Sequence, residues 1–446
     1  MKLWDKGITL DAKIEKFTTE KDRMLDVYLA KWDILGSLAH ITMLESIGLL
    51  TSAELLTLRE GLLDILENNV EKGGFQIEEG IEDVHSQIEL MLTRSCGEAG
   101  KKIHSGRSRN DQVLVDLKLY FRDEIEQISG LVKALFTSLQ AKSEQYKEVL
   151  MPGYTHFQIA MPSSFGLWFG AYAENLIDDI YMLSAAYKIA DQNPLGSAAG
   201  YGSSFPLNRT MTTELLGFED MAYNVVNAQM GRGKTEKSLA FAISSIAATL
   251  AKMSMDICLY NSQNFGFLKL PDEYTTGSSI MPHKKNPDVF ELLRGKCNKL
   301  QALPFTLNQV LINLPSGYHR DLQVLKEELF PALEELKTCL DIFEFAIRNI
   351  EVNKEVIKSN LYDLVFTVEN VNEEVLKGVP FREAYKNVGM QVEKGEYIPQ
   401  KEVNHTHEGS IGNLCNAEIL NKMEVALGEI NFGKSNRALN KLSEKE

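Results

Sequence analysis

The chain has 446 residues, 44% hydrophobic and 24% charged, a composition that excludes a disordered protein and supplies ample material for a core. Its 47 Lys and Arg stand against 62 Asp and Glu, and a formal charge of −15 argues against non-specific nucleic-acid binding, which depends on basic residues meeting phosphate. Five scattered cysteines (Cys96, Cys258, Cys297, Cys339, Cys415) form no CxxC pair and the N-terminus has no apolar signal region, so a soluble cytoplasmic protein with reduced thiols is expected.

Proline is scarce. None precedes Pro152 and none falls between Pro206 and Pro271, and such gaps permit very long helices. The first loop with chemical character is HSGRSRND at 104–111. After it, Leu114, Leu117, Phe121, Ile125, Ile128, Val132, Leu135 and Leu139 step by three and four, one face of a helix running roughly 40 Å. The stretch 149–173 lacks Asp, Glu, Lys and Arg, yet Pro152, His156, Gln158 and Pro162 interrupt it, so no membrane span is expected there. A second glycine-rich loop, NPLGSAAGYGSSFP, covers 193–206. Residues 233–263 then read as a helix apolar nearly all round, which must be buried in a bundle core or against other subunits. The third loop, TTGSSIMPHKKNP at 275–287, leads into expected helices over 287–312, 322–350 and 370–377, with Pro304 and Pro331 kinking or splitting the first two. No segment alternates convincingly with period two. The expected fold is mainly α, in three helical domains over 1–105, 106–350 and 351–446, the middle one a long-helix bundle.

The three loops carry the candidate chemistry. Gly277-Ser278-Ser279 gives a mobile backbone with two hydroxyls, and Lys284, Lys285 and Asn286 precede Pro287 at a helix start, a combination suited to an anion. A flexible surface loop with solvated lysines is the plainer reading. In Arg107-Ser108-Arg109-Asn110-Asp111, arginine forks suit carboxylates, while Ser108, Asn110 and Asp111 are equally good helix caps. Gln323 and Lys326, three apart beyond Tyr318, share a helix face. His156 has apolar neighbours and gains interest only if a carboxylate such as Glu291 orients it. His405-Thr406-His407 lacks a cysteine cluster and reads as structural. With no GxGxxG, Walker loop, HExxH or GxSxG present, side chains alone would act, on an anionic substrate.

TTGSSIMPHKKNPDVFELLRGK resembles the signature GSSxMPxKxNP of the fumarase/aspartase superfamily. HSGRSRNDQV, PGYTHFQIAMP, the segment Tyr318–Lys326 and KGVPFREAYKNVG narrow the resemblance to the argininosuccinate lyases, from about Lys2 to at least Tyr397. The resemblance implies a lyase releasing fumarate from argininosuccinate, in arginine synthesis, with no metal or organic cofactor. It implies Ser278 as the base, Lys284 and Asn286 as ligands of the carboxylate beside the carbanion, and His156 with Glu291 as the proton-transfer pair. Ser108, Arg109, Asn110, Thr155, Tyr318, Gln323 and Lys326 would bind the remaining polar groups. It also implies a homotetramer with sites shared between subunits. A serine is a poor base until its surroundings activate it, and preorganised cations such as Lys284 would stabilise the doubly charged carbanion.

Three departures stand out. Asp5-Lys6-Gly7 replaces the usual Gly-Gly-Arg-Phe after Lys2-Leu3-Trp4. The substrate serine expected before Asp26 is missing, and Phe17-Thr18-Thr19-Glu20-Lys21-Asp22 stands there, so Asp22, Thr18 or Thr19 is expected to take its place. His283 replaces the commoner glutamine, as in adenylosuccinate lyases, the enzyme alternative; a non-catalytic crystallin-like protein of the same fold is the other.

Overall fold

The computed structural model describes residues 11–444, so the departure at Asp5-Lys6-Gly7 lies outside the described residues. Four helices open the chain: α1 (Ala12–Asp26), α2 (Ala30–Ser46), α3 (Ser52–Ile65) and α4 (Val84–Cys96). The middle holds α5 (Arg109–Gln145), α6 (Phe165–Ala190), α7 (Arg209–Leu215), α8 (Val225–Met230), α9 (Lys234–Asn261), α10 (Asp288–Leu300), α11 (Leu303–Leu311) and α12 (Val324–Asn349). Four more close it: α13 (Thr367–Leu376), α14 (Phe381–Lys394), α15 (Asn416–Gly428) and α16 (Phe432–Ser443). The fold is mainly α, as expected.

The bundle is built from α5, α6, α9, α10 and α12. Helix α6 lies against α5 and α9, while α12 packs on α5, α9 and α10. The 37 residues of α5 make a rod of about 55 Å. Its predicted apolar face is buried throughout, from Leu114 to Leu139. Aromatic edges lock neighbours together: Tyr120 of α5 meets Phe330 of α12 at 4.8 Å, and Phe290 of α10 meets Phe343 of α12 at 5.5 Å. Helix α9 is long and apolar enough to cross a membrane by length and composition, but most of its apolar window is buried against the other helices. On this chain Phe241, Ala248 and Met255 of α9 face outward along one stripe. The burial expected all round is therefore incomplete within one chain.

Two expectations about proline separate here. The helix expected over 287–312 is split into α10 and α11, with Pro304 in the first turn of α11, where its missing N–H costs nothing. Pro331 does not split α12, which runs through it without a break. Phe330, Leu333 and Leu336 are buried around it, so packing outweighs the one lost backbone bond.

Strands are few among the described residues. The main hairpin pairs β1 (Leu150–Thr155) with β2 (Gln158–Ser164) in antiparallel register. The others are two-residue ladders: β3 (Gln192–Asn193) with β4 (Asp220–Met221), β5 (Leu268–Lys269) with β8 (Glu351–Val352), and β6 (Thr276–Gly277) with β7 (Lys285–Asn286). Residues 150–164 had no alternation strong enough to announce a hairpin. A bulge between Pro152 and Tyr154 breaks the period, and Gly153 occupies it where a Cβ would sit 2.8 Å from the Met161 carbonyl.

Candidate active site

The start of α5 is fixed by its own side chains. Ser108 Oγ accepts the Asn110 backbone N–H at 3.3 Å, and Asp111 Oδ1 accepts that of Ser108 at 2.8 Å. Asp111 is fully buried, and its Oδ2 also accepts the N–H groups of Gly196 (3.0 Å) and Ala198 (2.9 Å). One carboxylate thus pins the first glycine-rich loop to the second. The capping reading of Ser108 and Asp111 is correct. Arg109 is turned toward acid groups, bonding Glu82 Oε2 at 2.7 Å and Ser86 Oγ at 2.6 Å, with Asp83 at 3.1 Å.

A cavity of about 140 Å³ opens beside this helix start. Arg109, Asn110, Tyr318, Gln323, Lys326 and Asp22 all line it, so segments some two hundred residues apart in sequence meet in one chain. Gln323 and Lys326 share a face as expected: Gln323 Nε2 donates to Asp22 Oδ2 at 2.7 Å, and Lys326 Nζ lies 2.5 Å from Asp22 Oδ1 and against Asp26. Burial opposes the charge on Lys326, but Asp26 and Asp22 outweigh it and hold its pKa above the ordinary value. Burial and the neighbouring Asp26 push Asp22 upward against the pull of Lys326. Of the three residues offered for the missing serine, only Asp22 lines the cavity. Thr18 and Thr19 spend their hydroxyls on the carbonyls of Ile14 (2.9 Å) and Glu15 (2.8 Å) within α1.

Other wall residues were not singled out by sequence. Glu82 takes both Arg109 and Arg320, the latter at 3.0 Å, and Arg232 enters from the turn before α9. His85 joins a buried cluster with Asp33 and Asp116, whose ligand atoms lie within 4.8 Å of one another. Burial works against Asp33, yet the charge and hydrogen bond of His85 hold its pKa down, while burial and Asp33 drive Asp116 well up. The set has the donor types of a cation site, but His85 and the buried Arg107 already supply its positive charge. A charged residue flanked by glycines, as in Gly231-Arg232-Gly233, is the sequence signal that would have found Arg232.

The remaining expected residues lie elsewhere on the chain. Thr155 ends β1 and His156 opens its turn, where His156 and Phe157 take φ of 54° and 57°. Two-residue hairpin turns need this backbone, which is unfavourable for a side chain with a Cβ. Both Thr155 and His156 are exposed. Ser278, Lys284 and Asn286 share the β6–β7 hairpin; Ser278 Oγ accepts the N–H groups of Ile280 (3.3 Å) and Met281 (3.1 Å), and Asn286 Nδ2 donates to Thr276 Oγ1 at 3.3 Å. Glu291 stands exposed in the first turn of α10. None of these lines the cavity, and among the described residues no hydrogen bond or ion pair joins His156 to Glu291 or either to Ser278. His405 bonds Glu369 at 3.1 Å, which agrees with a structural role.

Known proteins share both the fold and the sequence. A solved EDDS lyase variant with bound fumarate matches with a TM-score of 0.75 at 20% identity, covering 98% of this chain and 94% of that one. A fumarate lyase:delta crystallin from Brucella melitensis matches with a TM-score of 0.72 at 15% identity, over 96% and 93%. At such identities these likenesses establish the fold. A family profile described as lyase matches residues 6–302. An argininosuccinate lyase of Parabacteroides distasonis is 61% identical over 99% of each chain, one of Bacteroides fragilis is 61% identical over 97% and 96%, and one of Thermotoga neapolitana 41% identical over 87% and 97%. The wall built from Arg109, Asn110, Tyr318, Gln323 and Lys326, the GSS hairpin and this nearly full-length identity agree, and the chain belongs to the argininosuccinate lyase family.

Proposed function

We propose that the protein cleaves argininosuccinate to arginine and fumarate. The observation that carries this reading is the 61% identity with argininosuccinate lyases across 99% of both chains. The cavity agrees with it, because a substrate holding carboxylates, an ammonium and a guanidinium needs both signs of charge close together, as Arg109, Lys326, Asp22 and Asp26 provide.

In this reading Ser278 removes a proton from the succinyl carbon next to one carboxylate. The electron pair forms the double bond of fumarate as the bond to the guanidino nitrogen breaks. Lys284 and Asn286 hold the carboxylate whose charge grows in the transition state. His156, oriented by Glu291, delivers a proton toward the departing arginine. Ser108, Arg109, Asn110, Thr155, Tyr318, Gln323 and Lys326 bind the rest of the substrate.

The active form is a homotetramer in which neighbouring chains complete each site. Two observations support that: the outward apolar stripe of Phe241, Ala248 and Met255 on α9, and the distribution of the expected residues over a cavity, a hairpin turn and a second hairpin that, among the described residues, make no polar contact with one another. Incubating the purified protein separately with argininosuccinate and adenylosuccinate, and following fumarate absorbance, tests the reading. Fumarate from the first alone is expected. Fumarate from adenylosuccinate alone would make it the other lyase, and no turnover by a folded tetramer would make it a structural protein of this fold.

A further inference from the structure

Arg232 lies between Gly231 and Gly233 at the entry to α9, and its guanidinium is gripped on two sides. Nε donates to Glu236 Oε1 at 2.7 Å, and Nη2 donates to the Leu322 carbonyl at 2.9 Å. Glu236 is itself fixed, since its Oε2 accepts the Gly233 N–H at 2.7 Å. Gly233 holds φ at +82°, and a Cβ there would fall 2.3 Å from the Leu311 side chain, so the turn carrying Arg232 requires glycine at this position. The third nitrogen, Nη1, is buried and has no hydrogen-bond partner among the described residues, although Arg232 forms part of the wall of the cavity. Every cation of that wall holds an ion pair with this chain's own acids, Arg109 with Glu82 and Asp83, Arg320 with Glu82, Lys326 with Asp22 and Asp26, and Arg232 with Glu236 through Nε, so it is the Nη1 donor alone that these pairs leave over. A rigid, buried guanidinium donor left without a hydrogen bond is costly, and a ligand oxygen that accepts from it recovers that cost.

We propose that Arg232 is a substrate-binding residue whose Nη1 donates to the carboxylate at the arginine end of the substrate. This rests on the argininosuccinate reading above. The fumarate-forming end belongs in that reading to the 276–286 hairpin, outside this cavity. The cavity wall also carries Asp22, Asp26, Glu82 and Asp83, any of which can re-pair with a substrate ammonium. One open donor among them matches one carboxylate beside one ammonium, the pattern of an α-amino acid.

Titration calorimetry of the intact protein with arginine and with agmatine, in the presence and absence of fumarate, tests this. Agmatine has the same guanidinium and chain but no carboxylate. Wild type should prefer arginine roughly tenfold to a hundredfold, the range for a hydrogen bond between charged groups. Arg232→Gln should weaken arginine by that factor and leave agmatine where it was. Equal weakening of both would assign Arg232 a structural role and overturn the proposal, as would no change in either. If Arg232→Gln does not fold, Arg232→Lys, which keeps the charge and loses the forked donor, is measured in its place, with weakening of arginine alone supporting the proposal and equal weakening or no change overturning it. Fumarate release from argininosuccinate by the same preparation reports on the underlying reading separately. Absent release defeats the reading, whereas release with equal arginine and agmatine affinity defeats only the role of Arg232.

Discussion

Asp179 is the residue whose replacement should stabilise the bundle. It projects from α6 toward α9 and is 2% exposed. Its two oxygens accept only hydroxyls in this contact, from Ser245 at 2.6 Å and Thr249 at 2.8 Å. Burial pushes its pKa from the ordinary 3.8 up to about 6, against the pull of those two bonds. The folded chain therefore holds this proton more tightly than the unfolded chain does. Stability falls as pH rises from 3.8 to about 6, and the cost is complete above that range. At 1.36 kcal/mol per pH unit the gap between those values is worth about 3 kcal/mol, as an order of magnitude. Asp179→Asn removes the buried charge and keeps both partners, its carbonyl accepting one hydroxyl and its amide donating to the other. Urea unfolding followed by circular dichroism should show the variant more stable by about 1–3 kcal/mol near pH 7.5, the advantage shrinking by about 2 kcal/mol on moving to about pH 4.5. An advantage independent of pH, or a variant weaker by the same amount at both, would refute the argument.

Asp22→Ala should raise KM for argininosuccinate with kcat little changed, because its contact is far from the breaking bond and equal in ground and transition states; an unchanged KM in steady-state assays removes Asp22 from the site. His156→Asn and Ser278→Ala, each inactive alone, should regain activity when co-refolded, at a fraction set by random assortment, while Ser278→Ala with Lys284→Ala should not, since those residues share one hairpin. A dead first mixture containing mixed tetramers by gel filtration would end the shared-site proposal.

Much of the architecture was legible because long helices write their faces in sequence. The apolar steps from Leu114 to Leu139 mark the buried side of α5, and the missing polar face of α9 marks its central place. The hairpin carrying Thr155 and His156 was not legible, since its bulge at Gly153 and its positive φ at His156 and Phe157 break the alternation that a regular strand pair would show. Of the kink or split expected at Pro331, the split does not occur, because propensity reads a single residue while Phe330, Leu333 and Leu336 secure the helix through packing. Within the cavity, Gln323 and Lys326 followed from spacing three apart on one helix. Arg232, Glu82 and Arg320 did not. Glu82 and Arg320 gain meaning only from partners far away in the chain, as when Arg320 reaches Glu82 across 238 positions, and Arg232, though its Glu236 partner is four residues on, only from its place in the cavity wall. Local pattern carries no trace of such a pairing.

If the cavity binds substrate as proposed, its charges bear on how substrate enters. Lys326, buried with only 3% exposure, already has Asp22 and Asp26, and Arg109 already has Glu82 and Asp83. Burying any of these cations alone would be prohibitive, so the acids make their burial tolerable. A substrate carboxylate approaching Arg109 or Lys326 must therefore displace or share an existing partner. Binding there is an exchange, and much of the Coulombic gain is cancelled by the ion pair given up. An ammonium on the same substrate changes that balance, since it can take the acid that the carboxylate releases. Selectivity then follows without a deep apolar pocket: a ligand carrying one sign of charge would strand a buried partner, whereas one carrying both can re-pair each group. Arg232 differs in degree: its Nε keeps Glu236, while Nη1 makes no hydrogen bond among the described residues, so a carboxylate placed on Nη1 shares the guanidinium without displacing that acid.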